Sequence, residues 1–241
     1  MTTERLDKVL VAQKLVASRS QAENFIKLGK VTVNGKVVQR AGTLVRLSDD
    51  IQLTATEQYV SRAGLKLASV AEKLNLDFRG KVVLDVGSST GGFTDYALKH
   101  GAIKVIAVEL GTNQLHPSLH GNQQIELHEQ TDIRHFKTEH KIDVAVADIS
   151  FMSLRDILPS VAKLCQPNTV IAAMVKPQFE ARQDDIKHHG VIKNERMRRD
   201  ILQNFEQWVK RQFVIVGKAD SDVAGSKGNL ERFYLLKLAA K

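Results

Sequence analysis

Up to Leu53 the apolar positions come in short runs of mixed period. Leu6, Val9 and Leu10 fall at i, i+3 and i+4, one face of a helix. Ala22, Phe25 and Ile26 form the stripe of a second helix, with Ser18 or Ser20 as its cap. Glu23 stands in capping-box register with Ser20, and Gly29 supplies the stop. Val31 and Val33 then alternate with polar residues up to Asn34-Gly35, a strong hairpin signal. Ser48-Asp49-Asp50 marks another turn, and Ile51-Gln52-Leu53 a short strand. Residues 54–60 are polar and lack a helical period. Ser61 caps a third helix, whose stripe is Leu65, Ala68, Val70, Ala71 and Leu74.

From Lys81 the pattern changes to β-rich runs separated by helical ones. Val82–Val86, Val105–Glu109, Ile125–His128, Ile142–Asp148, Val170–Val175, Phe213–Val216 and Glu231–Leu238 read as strands. Leu154, Ile157, Leu158 and Val161, and later Met197, Ile201, Phe205 and Trp208, read as helix faces. This alternation predicts a doubly wound, mostly parallel sheet with helices on both faces. The predicted division is a small α+β domain over 1–55, a linker over 56–60 and an α/β domain over 61–241.

The first strand of that sheet ends at an acid and breaks into small residues, Asp85-Val86-Gly87-Ser88-Ser89-Thr90-Gly91-Gly92-Phe93, before a helix resumes. Such a loop beyond the carboxyl end of a parallel strand lets a ligand approach the backbone. The next strand ends at Glu109, 24 residues after Asp85 (109 − 85), the place of an acid that holds ribose hydroxyls. The ligand therefore contains adenosine. The loop lacks the second glycine of Gly-x-Gly-x-x-Gly, and Asp85 would set a carboxylate near a dinucleotide's phosphates. A sulfonium ligand with an amino-acid tail suits these residues better.

Composition narrows the partner. Lysine and arginine number 35 against 27 acids, a net charge of +8, which favours a polyanion. Arg5, Lys8, Lys14, Arg19, Lys27, Lys30, Lys36, Arg40 and Arg46 against Glu4, Asp7 and Glu23 concentrate that excess in the first 46 residues. The single cysteine, Cys165, falls in an apolar helical pattern and reads as a buried thiol in a reducing cytosol. No hydrophobic signal region opens the chain, and no apolar run approaches the roughly 18 residues of a membrane span. A soluble cytoplasmic protein is expected. His188-His189, in the polar stretch Glu180–Gly190, lack further ligand spacing, so no metal is assigned.

Four stretches carry a resemblance. Arg5-Leu6-Asp7, Ser18-Arg19-Ser20-Gln21-Ala22 and Gly29-Lys30-Val31-Thr32-Val33-Asn34-Gly35 resemble the RNA-binding domain shared with ribosomal protein S4. That resemblance implies that Arg5, Lys8, Arg19, Lys27 and Lys30, with Arg62 just beyond, lie near RNA phosphates. The loop from Asp85 to Phe93 resembles motif one of S-adenosylmethionine-dependent methyltransferases, which implies cofactor contacts at Asp85, Gly87, Ser88, Thr90, Gly91, Gly92 and Phe93. Glu109 then matches the ribose-binding acid. Asp132, with Ile133 beside it, matches the reader of the adenine amino group, and Asp148 ends the fourth strand against the cofactor. Lys66, Asp148, Lys176 and Glu231 match the Lys-Asp-Lys-Glu tetrad of ribose 2′-O-methyltransferases related to the heat-shock protein FtsJ.

In that chemistry a weakly acidic sugar hydroxyl loses its proton as a methyl group arrives. A lysine near its neutral form serves as base, and Lys176 is the candidate. Taken together, the order of motifs resembles the TlyA family. The resemblance implies a Rossmann-like S-adenosylmethionine-dependent methyltransferase sheet with an S4-type domain before it, acting on cytidine riboses of ribosomal RNA or ribosomal subunits. Three alternatives stand beside it. Asp148-Ile149-Ser150-Phe151 is similar to the acid-x-x-aromatic motif of enzymes that methylate base amines, although prolines usually fill the middle there. The others are a membrane-active haemolysin and a ribosome-binding factor without catalysis.

Overall fold

The computed structural model describes residues 3–16, 19–27, 29–54, 59–181, 191–192, 194–225 and 228–239. The predicted cap Ser18, most of the expected linker (56–58) and His188-His189 lie outside these residues, as does the side chain of Ser20. The chain divides into two compact units, Met1–Arg62 and Ala63–Lys241.

In the first unit, α1 (Leu6–Ala12) and α2 (Arg19–Lys27) bury the predicted stripes: Leu6, Val9 and Leu10 on one, Ala22, Phe25 and Ile26 on the other. Strand β1 (Thr3–Arg5), which the polar pattern did not signal, pairs antiparallel with β4 (Leu44–Arg46). Strands β2 (Val31–Val33), β3 (Lys36–Val37) and β5 (Ile51–Leu53) form a second small sheet in the order β3-β2-β5. Asn34 and Gly35 both have positive φ (51° and 75°), the requirement of the tight turn joining β2 to β3. The Asn34 side chain also ties that turn to the second one: its amide donates to Asp49, and its carbonyl accepts from the backbone of Asp50.

The second unit opens with α3 (Arg62–Ala71), shorter than its stripe, so that Leu74 is buried beyond the last turn. Its sheet contains β6 (Val82–Val86), β7 (Lys104–Val108), β8 (Ile125–His128), β9 (Ile142–Ala147), β10 (Cys165–Val175), β11 (Phe213–Asp220) and β12 (Arg232–Leu238). The order is β11-β12-β10-β9-β6-β7-β8; the five strands from β10 to β8 run parallel, and β12 and β11 form an antiparallel edge. Alternate residues serve the two faces. Leu84, Val86, Ile106, Ala145, Ile171 and Tyr234 pack with Ile157 and Leu158 of α5 (Leu154–Leu164) and Phe205 and Val209 of α7 (Glu195–Val209). Their neighbours Val83, Val105, Val146, Ala172 and Phe233 are buried on the other face, where Phe93 of α4 (Gly92–Lys99) meets Phe233 at 5.9 Å. The predicted doubly wound sheet is what the chain forms.

Cys165 departs from the helical reading. It is the first residue of β10, half-buried, and burial pushes its thiol up to about 12, which leaves it protonated and unreactive. Among the described residues no helix is long and apolar enough to cross a membrane.

Gly87, directly after β6, has φ +79°, and a Cβ there would lie 2.8 Å from the carbonyl oxygen of Asp148 and 2.9 Å from Ile149 Cδ1. Neither the backbone angle nor the space admits a side chain. Gly87→Ala is expected to cost about 1–3 kcal/mol, read as a lowered urea midpoint with an unchanged slope.

Candidate active site

Strand register assembles the site. Five neighbouring strands bring a polar residue or a glycine to one end of the sheet. Val86, Ala147 and Val108 end their parallel strands in register, so Gly87, Asp148 and Glu109 follow side by side. Lys176 leaves β10 next to them, preceding α6 (Pro177–Glu180). Because β12 runs antiparallel to β10 with Val175 opposite Arg232, the next pair in register is Lys176 and Glu231. The strand that runs backwards thus delivers its first residues where its neighbours deliver their last.

Lys66, from the middle of α3, completes the set. Its ammonium lies 2.5 Å from Glu231 Oε2, and that of Lys176 lies 2.5 Å from Asp148 Oδ1. Both lysines are buried at 8% exposure and Glu231 at 2%, so neither lysine is the solvated side chain that its local sequence suggests. Lys176 also donates to Ser150 Oγ at 2.7 Å, and its ammonium stands 5.9 Å over the ring of Phe179. Burial pushes the Glu231 carboxyl above its usual range; Lys66 and Lys176 pull it back, and Asp148 pushes the same way as burial. All four predicted tetrad residues therefore act within one electrostatic neighbourhood.

Beside them lies a cavity of about 470 Å³, lined by Gly87, Ser89, Glu109, Asp132, Ile133, Asp148 and Ile149 among others. Glu109 accepts hydrogen bonds from the backbone of Ser89 and Gly111, which fastens its carboxylate to the glycine loop at the cavity wall. Asp132 lines the wall while its carboxylate is engaged by Arg134, and this pairing holds it at about 2. Of the other predicted cofactor residues, Ser88, Gly91, Gly92 and Phe93 are buried, Thr90 is exposed, and none of the five is on the cavity wall. Gly92 and Phe93 begin α4, and Phe93 faces the core.

Asp85 is 1% exposed and sits behind the glycine loop. One carboxylate oxygen accepts from Thr94 Oγ at 2.7 Å, and the other, though buried, has no hydrogen-bond partner. Burial raises its pKa to about 7; Thr94 opposes this, while the charges of Asp148 and Glu109 add to it. Three acids, Glu109, Asp132 and Asp148, line the cavity, and Asp85 lies buried behind its glycine loop with one oxygen unsatisfied; together they suit a ligand that brings positive charge and N–H donors.

Sequence reasoning missed several contributors. Ser89, with φ 46°, lines the cavity and donates through its hydroxyl to Gln114, which reaches in from the segment after β7. Nothing periodic marks Gln114. Arg198, on a helix whose first turns are rich in arginine, is 7% exposed, donating to Asp220 and to the Leu230 carbonyl just before Glu231. Arg196 and Arg199 are exposed. Glu180 accepts from Ser153 Oγ and Leu154 N, fastening α6 to the start of α5. Phe151, 89% exposed with φ 68°, stands at the cavity rim 5.5 Å from the Phe179 ring. The predicted RNA contacts all fall in the first unit: Arg5, Lys8, Arg19, Lys27 and Lys30 are exposed, and Arg62 is half-buried.

Residues 59–238 match the model of the FtsJ-like methyltransferases, and residues 4–51 that of the S4 domain. The chain belongs to the TlyA family of FtsJ-like methyltransferases. It is 34% identical to a Campylobacter jejuni TlyA named as a 23S rRNA (cytidine-2′-O)-methyltransferase, across 93% of this chain and 96% of that one. It is 35% identical to a Brachyspira hyodysenteriae protein named hemolysin A, across 94% and 97%. A solved Streptococcus thermophilus structure described as a hemolysin superposes with a TM-score of 0.74 at 33% identity, across all of this chain and 90% of that one. TlyA relatives thus carry both kinds of name.

Asp85 offers a direct check on the electrostatics of the site. Its carboxyl titrates at 3.8 without the fold and at about 7 within it, so ionising it opposes folding. That penalty is absent at acid pH, grows from about pH 4 and is complete above pH 7. Asp85→Asn is expected to leave stability little changed at pH 4 and to raise it by more than about 1 kcal/mol at pH 8, measured by urea unfolding at both values. An equal loss at both would refute it.

Proposed function

We propose that this chain methylates ribose 2′-hydroxyls of ribosomal RNA, with cytidine as the target nucleoside and S-adenosylmethionine as the donor. The observation that carries this reading is the convergence of Lys66, Asp148, Lys176 and Glu231 beside a cavity lined by the acids Glu109, Asp132 and Asp148. S-adenosylmethionine supplies an electrophilic methyl group on a sulfonium.

Glu109 would hold the ribose hydroxyls of the donor, Asp132 and Ile133 its adenine, and Gly87 with Ser89 the approach along the backbone. Asp85 and Asp148 would answer its positive charge. Ser88, Thr90, Gly91, Gly92 and Phe93 shape the loop from behind. Lys176 takes the proton of the 2′-hydroxyl as its oxygen gains the methyl group. Asp148 and Ser150 fix the direction of its Nζ. Glu231 pairs with Lys66 and aims it. Since the reaction is an in-line displacement, holding the hydroxyl and the donor in line supplies much of the acceleration.

The carboxylate of Asp148 is engaged with Lys176 rather than free to accept from an exocyclic base amine, which favours the hydroxyl over the base. The basic first unit supports ribosomal RNA or a ribosomal subunit as the partner, with 1–55 as the binding domain and 61–241 as the catalytic one. Ribosomal substrates and an unreactive single thiol support a cytoplasmic location.

Transfer of labelled methyl groups to ribosomal subunits and to naked ribosomal RNA tests the reading, with vesicle leakage run in parallel. Alkaline hydrolysis of the product should leave the label in a resistant dinucleotide, since a methylated 2′-oxygen cannot attack the adjacent phosphate. Label released as a modified base would reject it. Lys176→Ala is expected to keep cofactor binding and to lower kcat by about 100-fold or more; near-normal turnover would remove Lys176 as base.

A further inference from the structure

Among the described residues of the first unit a single carboxylate is completely buried. Asp7, at 0% exposure, begins α1 and faces two arginines that come from separate elements. Arg5, at the end of β1, donates Nε to Oδ1 and Nη2 to Oδ2, both at 3.0 Å. Arg19, the first residue of α2, donates to Oδ2 from Nη2 at 2.8 Å and from Nε at 3.3 Å. The backbone N–H of Lys8 also reaches Oδ1. The arginine side chains themselves remain about half in solvent, at 44% and 53% exposure.

Two cations from separate elements share this one carboxylate, while Glu23 also acts on Arg5 at longer range. Each guanidinium turns one edge inward, which fixes its plane and leaves its remaining N–H donors for another acceptor. Two planar donors held at a fixed spacing suit an oxyanion with several acceptor oxygens.

We propose that Asp7 is a positioning residue that locks Arg5 and Arg19 into a preformed receptor for one phosphate of the RNA backbone. The inference rests on the RNA-binding reading of this unit and deepens it. An isolated arginine must give up side-chain freedom when it meets a phosphate, whereas these two have done so already. An acid buried within an RNA-binding surface thus strengthens binding, contrary to its charge.

That reversal of sign makes the test sharp. Asp7→Asn keeps the shape and removes a negative charge, so charge alone predicts tighter binding. The receptor predicts binding of purified ribosomal RNA weakened by about tenfold, read by filter binding of the full chain across a salt series. Glu4→Gln removes an exposed acid that pairs with Lys8 at 3.6 Å and should tighten binding, as the charge control. Circular dichroism melting confirms that the variants fold. Should Asp7→Asn unfold the unit, Arg19→Lys keeps the charge and breaks the fork, and the same weakening is expected. Binding of either folded variant equal to or tighter than the starting protein overturns the proposal. If the unaltered chain binds no ribosomal RNA, the RNA-binding reading fails, and this inference with it.

Discussion

Two lysines held out of water by two carboxylates are the constraint around which the larger unit is arranged. A buried ammonium is costly unless matched, and each match here comes from a different part of the chain: Lys66 with Glu231, Lys176 with Asp148. The helix before the sheet, its fourth and fifth strands in sequence and its last strand must all be in register before either charge is balanced. Removing one partner would strand the other in a low-dielectric site. The pairs therefore link correct folding to the convergence of these four side chains.

The cavity beside them shows the opposite economy. Glu109 is satisfied by backbone N–H groups and Asp132 by Arg134, but Asp85 retains a buried oxygen with no donor. A site satisfied in every particular would have little to gain from a ligand. Behind this cavity Asp85 keeps one buried oxygen that a donor or a positive charge would satisfy.

Much of this was legible in the sequence because it rests on period and spacing. The β-rich runs, the glycine loop and the acid after the second strand of the sheet specify a doubly wound sheet and an adenosine site almost unaided. The tetrad was legible only through resemblance, since Lys66 read locally is a surface lysine and Lys176 a solvated strand end. Burial came from partners 165 and 28 residues away (231 − 66 and 176 − 148), which no local period encodes. Gln114 and Glu180 escaped for the same reason: their roles are hydrogen bonds to distant loops. Arg198 misled because a helix face rich in arginine looks solvated until the strand it buries against is known. Cys165 misled because it directly follows Leu164 and extends the apolar stripe of α5 by one residue, before the polar run Gln166–Thr169.

The antiparallel last strand has a temporal meaning as well. A ribosome releases this chain from its amino terminus, so Asp85, Asp148 and Lys176 emerge while Lys66 still lacks its counterion. Only when residue 231 and the strand behind it have left the exit tunnel can the sheet gain its final pair of strands and Lys66 its carboxylate. A half-made polypeptide can have its glycine loop and Lys176, yet not the balanced quartet. The second buried ion pair is thereby deferred until the antiparallel strand joins β10.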